Sequence, residues 1–323
     1  MKYPFFLNYF NSRLFKNECF FYNMLKIAWS PIYCHSLPVG HRFPMEKYNL
    51  LPEQLLYEGT VSDDNFFKPK AIENKWILNT HDEKYFQKLI SLSLSKSEIR
   101  KTGFPLSQEL IQREIHIMHG SVQAALFALQ YGIAMNIAGG THHAFSNKGE
   151  GFCLLNDIAI SANYLLDNNL VKKVLVVDLD VHQGNGTAEI FKKNNNVFTF
   201  SMHGAANYPM HKEKSDLDIG LPDKIKDQEY LALLGENLHK ILDVFQPDFL
   251  IYQSGVDVLA TDKLGRLGLS LDGCKKRDRM VLESAKINEI PIMCCMGGGY
   301  SEKLTHIIEA HANTFRLAQD LYF

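Results

Sequence analysis

Short apolar runs alternate with longer amphipathic stretches along this chain. GIAMNIAGG (132–140), VKKVLVVDLD (171–180), VFTFSMH (197–203), DFLIYQSG (248–255) and IPIMCCMGGG (290–299) are of strand length, and each ends in small or polar residues. That pattern predicts buried strands running into turns. LKIAWSPIY, directly after Met24, reads as a first core strand. Between the runs, apolar positions recur with helical spacing over 107–130, 156–167, 226–245, 272–288 and 301–321. Strand and helix in alternation predict an α/β fold, with a mostly parallel central sheet flanked by helices on both faces. With no linker, repeat or low-complexity segment, one domain over 24–323 is expected, preceded by an N-terminal extension, 1–23. The extension is aromatic but broken by Asn8, Asn11, Arg13 and Lys16, a poor secretion signal. It is expected to be a disordered arm, or an artefact if the native start is Met24.

Four of the strands carry polar residues at their carboxyl ends: GGTHH, DLDVH, SMH and QSGVDVLATD. In an open parallel sheet the ligand crevice lies just outside those ends, so distant residues are predicted to converge there. In DLDVHQGNG (178–186), residues two apart in an extended segment point the same way. Asp178, Asp180 and His182 therefore form one row, with Leu179 and Val181 facing the opposite side. Asp180 and His182 offer one oxygen and one nitrogen ligand. A third carboxylate from another strand would complete a site with an open position, as catalytic zinc requires, and Asp262 in ATDKLGRLG is the candidate. A lone Asp-x-Asp at a strand end is otherwise a solvated terminus. Two further segments raise the metal reading above that one. AGGTHHAF places His142 and His143 after a diglycine, as acid and base groups, and MGGGYS delivers the Tyr300 phenol on a flexible turn.

Composition narrows the picture. Hydrophobic residues make up 46% and charged residues 22%, with a formal net charge of −2, so there is no global basic excess to bind nucleic acid. No run reaches the roughly 18 consecutive apolar residues of a membrane span. The six cysteines form no CxxC pair and no framework spacing, which suits a reducing compartment.

GGTHHAF, GFCLLNDIAI, DLDVHQGNGT, SGVDVLATDKLGRLGLS and MGGGYS, in this order and at these separations, resemble the zinc-dependent histone deacetylase family of the arginase-like fold. The likeness runs from about Lys26 to Leu317. SPIYCHSLPVGHRFPMEKY and the HQGNG variant look more like class IV and its bacterial relatives than like class I. The resemblance implies a deacylase that hydrolyses the amide of acetyl-lysine, or of longer acyl-lysine, by metal-activated water. It implies zinc on Asp180, His182 and Asp262, with His142 and His143 as the paired histidines. Asp178 would support His142, Asn185 would partner His143, and Tyr300 would donate to the substrate carbonyl. It further implies a structural K+ or Na+ site on Asp178, Asp180, His182, Ser201 and Met202. The acyl-lysine tunnel would be lined by Gly151, Phe152, Tyr208, Gly298 and Gly299. Arg42 in GHRFP lies near the position of the family's acetate-release arginine, and reads equally well as a surface or structural ion-pair residue.

Two positions depart from the family pattern. Asn185 stands where class I has an aspartate, so a more weakly basic His143 is expected. Met296 takes the first place of the four-glycine run, leaving acyl-length preference open. Three other readings remain at this level. One is an acetylpolyamine or other small-amide deacetylase. Another is a non-catalytic acyl-lysine binder. The third is an arginase-like ureohydrolase, which Asn185 disfavours. Implied partners are an acyl-lysine peptide or protein, or a small acylated amine, with no nucleic acid and no membrane. The implied setting is the bacterial cytosol.

Overall fold

The structure, a computed structural model, describes residues 24–323. The expectations for 1–23 lie outside the described residues. One sheet of eight parallel strands forms the centre. The strands are β1 (Lys26–Ala28), β2 (Phe66–Phe67), β3 (Ile133–Asn136), β4 (Val174–Asp178), β5 (Val197–Gly204), β6 (Leu217–Leu221), β7 (Phe249–Gln253) and β8 (Ile292–Cys295). Their spatial order is β2-β1-β3-β8-β7-β4-β5-β6. From β4 the chain steps outward through β5 to β6, while β1, β2 and β3 lie on the other side. β7 and β8 later fill the gap, so the carboxyl ends of β3, β8, β7 and β4 lie side by side at the place where such sheets bind ligands.

The central strands are apolar on both faces because both are covered. Leu175, Val177, Leu250, Tyr252 and Ile292 belong to one buried cluster. The alternate residues Val174, Val176, Phe249, Ile251 and Met293 belong to the other. This is the side-chain alternation of a strand seen from each face.

The five predicted helices form, with ends shifted by a few residues. Ser107 caps the Gln108–Tyr131 helix by accepting from the Leu110 N–H, and Asn156 caps Asp157–Asp167 through Ala159. Ser270 caps Leu271–Ile287 through Gly273. Each cap satisfies an otherwise unpaired amide. The last helix begins at Leu304, later than the periodicity predicts, because Ser301 pairs with Asp262 in an isolated antiparallel bridge. Strands β2 and β6 and the helices Lys47–Tyr57, Asn74–Leu78, Glu83–Ile90, Lys96–Thr102 and Asn185–Phe191 were not foreseen. Both strands lie at sheet edges, where a continuous apolar run is not required. Among the described residues no helix is long and apolar enough to cross a membrane.

Candidate active site

Asp180, His182 and Asp257 each turn one ligand atom toward a common point, all within 4.8 Å of one another. Asp180 and His182 leave the end of β4, and Asp257 follows the end of β7, the neighbouring strand. This corrects the sequence expectation, which put Asp262 in the third place. The Asp262 carboxylate is occupied elsewhere: Oδ1 accepts the Leu264 and Gly265 N–H groups, both at 2.8 Å, and Oδ2 accepts the Tyr300 N–H at 2.6 Å. Asp262 therefore closes its own turn and anchors the segment that carries the phenol.

The donor set calls for a cation. His182 Nδ1 lies 3.0 Å from Asp180 Oδ1 and 3.1 Å from Asp257 Oδ2, and one N–H cannot serve two acceptors well. Two carboxylates and an imidazole at this spacing suit a divalent ion that takes mixed oxygen and nitrogen ligands. The outer atoms are tied down, as ligands of a metal require. The Gln253 amide and the Gly298 N–H donate to Asp180 Oδ2 at 2.8 and 2.9 Å, and the Val181 N–H donates to Asp257 Oδ1 at 2.9 Å. Only glycine fits at 298, because a Cβ there would fall 2.1 Å from Asp257 Oδ2 and 2.7 Å from Asp180 Oδ2.

Electrostatics follow from burial and crowding. Burial, then the charge of Asp180, raises the Asp257 carboxyl to about 7. Burial opposes charge on His182 and on Asp180, but in both cases the partners win. The two carboxylates lift His182 to about 10, and His142 and His182 hold Asp180 well below its ordinary range.

The paired histidines differ in the same way. His142 Nδ1–H donates to Asp178 Oδ2 at 2.6 Å, and His143 Nδ1–H to Asn185 Oδ1 at 2.7 Å. Burial disfavours both cations, yet the carboxylates of Asp178 and Asp180 outweigh it at His142 and raise that imidazole. At His143 burial is reinforced by His142 and His182, and the imidazole is held well below 6.5. Two histidines pushed apart in this way can divide proton-holding and proton-taking between them.

A narrow cavity of about 40 Å³ reaches this point, lined by Gly151, Phe152, both histidines, Asp180, His182, Gly298 and Tyr300. Gly151 has φ +60°, and a Cβ there would sit 2.6 Å from the His143 ring. Tyr208 stands edge-on to His143, with ring centroids 5.0 Å apart, and its hydroxyl bonds Glu150. Gly299 is not among the residues lining the cavity, and a Cβ there would meet Val256, Ile307 and His311. Of the two readings of Arg42, its exposure favours the surface one. Its guanidinium lies 5.1 Å from the centroid of the Phe152 ring, and the arginine lining the cavity is Arg113. Ser201, opposite Asp178 in the β4–β5 register, bonds His203 Nδ1 at 2.9 Å, and Met202 is buried beside it.

Sequence reasoning missed several contributors. Phe43 is packed 5.2 Å from Phe152 and 6.1 Å from Tyr300, ring to ring. Lys47 is fully buried, donates to Gly297 O at 3.2 Å, and has its Nζ 5.6 Å from the Tyr300 ring centroid. Burial lowers its ammonium to about 8. Nothing in local sequence marks these residues, since each reaches the site only through tertiary packing.

A parallel sheet with a carboxylate–imidazole cluster and paired histidines at its carboxyl ends defines an α/β enzyme with a metal-type centre. Residues 41–315 match the histone deacetylase domain family model. A protein of Picosynechococcus sp. is 38% identical over 296 residues, covering 92% of this chain and 99% of that one. Histone deacetylase 2 of Arabidopsis thaliana is 29% identical over 278 residues, covering 83% of this chain and 72% of that one. The solved structure of an HDAC homolog complexed with SAHA superimposes with a TM-score of 0.76 at 25% identity, covering 91% of this chain and 82% of that one. The chain belongs to the histone deacetylase family. As such it is a hydrolase that deacetylates amides.

Proposed function

We propose that this chain is a zinc-dependent lysine deacylase acting on acetyl-lysine in proteins or peptides. The observation that carries this reading is the convergence of Asp180, His182 and Asp257 at the end of a narrow cavity that also holds His143 and Tyr300. An amide resists hydrolysis because its carbonyl is a poor electrophile and its amine a poor leaving group, so one must be polarised and the other protonated. A zinc ion on the three ligands supplies Lewis acidity toward both the carbonyl and water. His143, neutral because its environment disfavours the cation, takes the proton from the attacking water and passes it to the departing lysine amine. Beside it, burial disfavours the His142 cation but the Asp178 and Asp180 carboxylates outweigh it and raise that imidazole. The Tyr300 phenol, which burial and the nearby carboxylates keep protonated, donates to the developing oxyanion.

Acetyl is the acyl group this reading takes, and the chain-length series tests it. The structural K+ or Na+ would sit on the carbonyls of Asp178, Asp180, His182 and Met202 with the Ser201 hydroxyl. Free thiols at Cys34, Cys153, Cys274, Cys294 and Cys295 support a reducing cytoplasmic setting.

The test is hydrolysis of acyl-lysine peptides of increasing chain length, and of acetylated polyamines, with and without chelator. Chelator-sensitive turnover that is fastest on acetyl-lysine is expected. Faster turnover of the polyamines would move the substrate to small amines. Binding without turnover of any amide would make the protein an acyl-lysine reader.

Asn185→Asp supplies a check on the proton route. A carboxylate at Nδ1 stabilises the imidazolium and raises the His143 pKa. Since the base acts when neutral, the acidic limb of the kcat/KM profile is expected to move to higher pH. An unmoved limb would remove His143 from the base role.

A further inference from the structure

We propose that Arg277 is the positioning residue that sets the two metal-ligand loops at their working separation, a role that rests on Asp180, His182 and Asp257 being the ligands. Arg277 comes from the Leu271–Ile287 helix, is fully buried, and lies outside every motif of the site. Its Nη1 donates to Gly255 O at 2.6 Å and to Leu179 O at 3.2 Å, and its Nη2 donates to Ser254 O at 3.3 Å. Leu179 immediately precedes Asp180, while Ser254 and Gly255 lie between the end of β7 and Asp257. One planar group thus bonds both loops at once, each just upstream of its carboxylate.

The guanidinium is itself fixed. Nε and Nη2 both donate to Asp278 Oδ1, at 2.9 and 2.7 Å. Asp278 in turn accepts from the Tyr252 hydroxyl at 2.6 Å and the Thr314 hydroxyl at 2.7 Å. Tyr252 belongs to β7 and Thr314 to the last helix, so the fork is held by elements on two sides. A lysine cannot reproduce this, because an ammonium carries three donors on one atom and cannot span carbonyls of separate loops in a fixed plane. The separation of Asp180 from Asp257 then depends on the fork, and metal affinity depends on that separation.

The experiment is zinc competition between a chromophoric chelator and three metal-free proteins: wild type, Arg277→Lys, and the double variant Arg277→Met/Asp278→Asn. The double variant leaves no unpaired buried charge, so the fold is expected to survive, as circular dichroism and thermal unfolding of the metal-free protein will show. Zinc affinity is expected to fall about 10- to 100-fold in the double variant and by a smaller factor in Arg277→Lys. At saturating zinc the KM for acetyl-lysine peptide should stay near the wild-type value. A purely structural arginine would lower the thermal midpoint and leave zinc affinity unchanged, and that result overturns the proposal. If the double variant fails to fold, Arg277→Lys decides alone, and wild-type affinity in it overturns the role. Wild type that binds no zinc would instead overturn the ligand assignment.

Discussion

Asp257→Asn is expected to lose stoichiometric zinc and to lower kcat/KM by on the order of 1000-fold, well beyond the 10- to 100-fold effect typical of an outer-shell partner. Asp262→Asn, five residues on, is expected to keep one zinc per chain and lose on the order of 10-fold in kcat, because it touches the site only through the backbone of Tyr300. The contrast follows from which carboxylate faces His182. Asp257 Oδ2 stands 3.1 Å from His182 Nδ1, while both oxygens of Asp262 are engaged by backbone amides. Metal analysis of the two purified variants beside peptide kinetics separates the cases. Zinc retained by Asp257→Asn and lost by Asp262→Asn would reverse the assignment.

Tyr300→Phe is expected to lower kcat by about 100- to 1000-fold, the usual loss for one oxyanion donor, while zinc affinity and KM stay near wild type. The phenol remains a donor because burial, followed by the charges of Asp257 and Asp180, raises its pKa well above 10. The ring itself packs edge-on against Phe43 and tilted against Phe152, with centroids 6.1 and 5.9 Å away. Phenylalanine keeps those contacts, so the thermal midpoint should be unchanged and the loss can be assigned to the hydroxyl. A variant with wild-type kcat would remove Tyr300 from the chemistry.

Strands β3, β4, β5, β7 and β8 are legible from sequence because a strand covered on both faces reads as a largely apolar run. β2 and β6 carry no such requirement at the sheet edges, and β2 is only two residues long. The strand-end rule likewise makes His142, His143, Asp180, His182 and Tyr300 legible as residues of one site. It contains the answer to the third ligand too. Asp257 lies four residues beyond Gln253 and Asp262 nine, and the nearer one stays in the crevice, while the farther one enters a glycine-containing turn whose Leu264 and Gly265 amides, together with that of Tyr300, take up its carboxylate. Distance from the strand end is what separates the two aspartates.

Residues carried by helices are the illegible part. Arg113 belongs to the Gln108–Tyr131 helix and Lys47 to Lys47–Tyr57, and both read as ordinary polar positions until packing buries them beside the cavity. Arg42 reads equally well as a cavity arginine, from the family likeness of its segment, or as a surface residue, and its side chain is exposed. Sequence proximity to a motif does not fix the direction of a long side chain.

The most direct measurement is an anomalous difference map, at the zinc edge, from a crystal of the zinc-loaded protein. A single peak is expected within about 2.0–2.2 Å of one Asp180 oxygen, one Asp257 oxygen and one His182 nitrogen, with Asp262 outside bonding distance. A map with no peak among these three residues, or with the ion held by Asp262, would contradict the account.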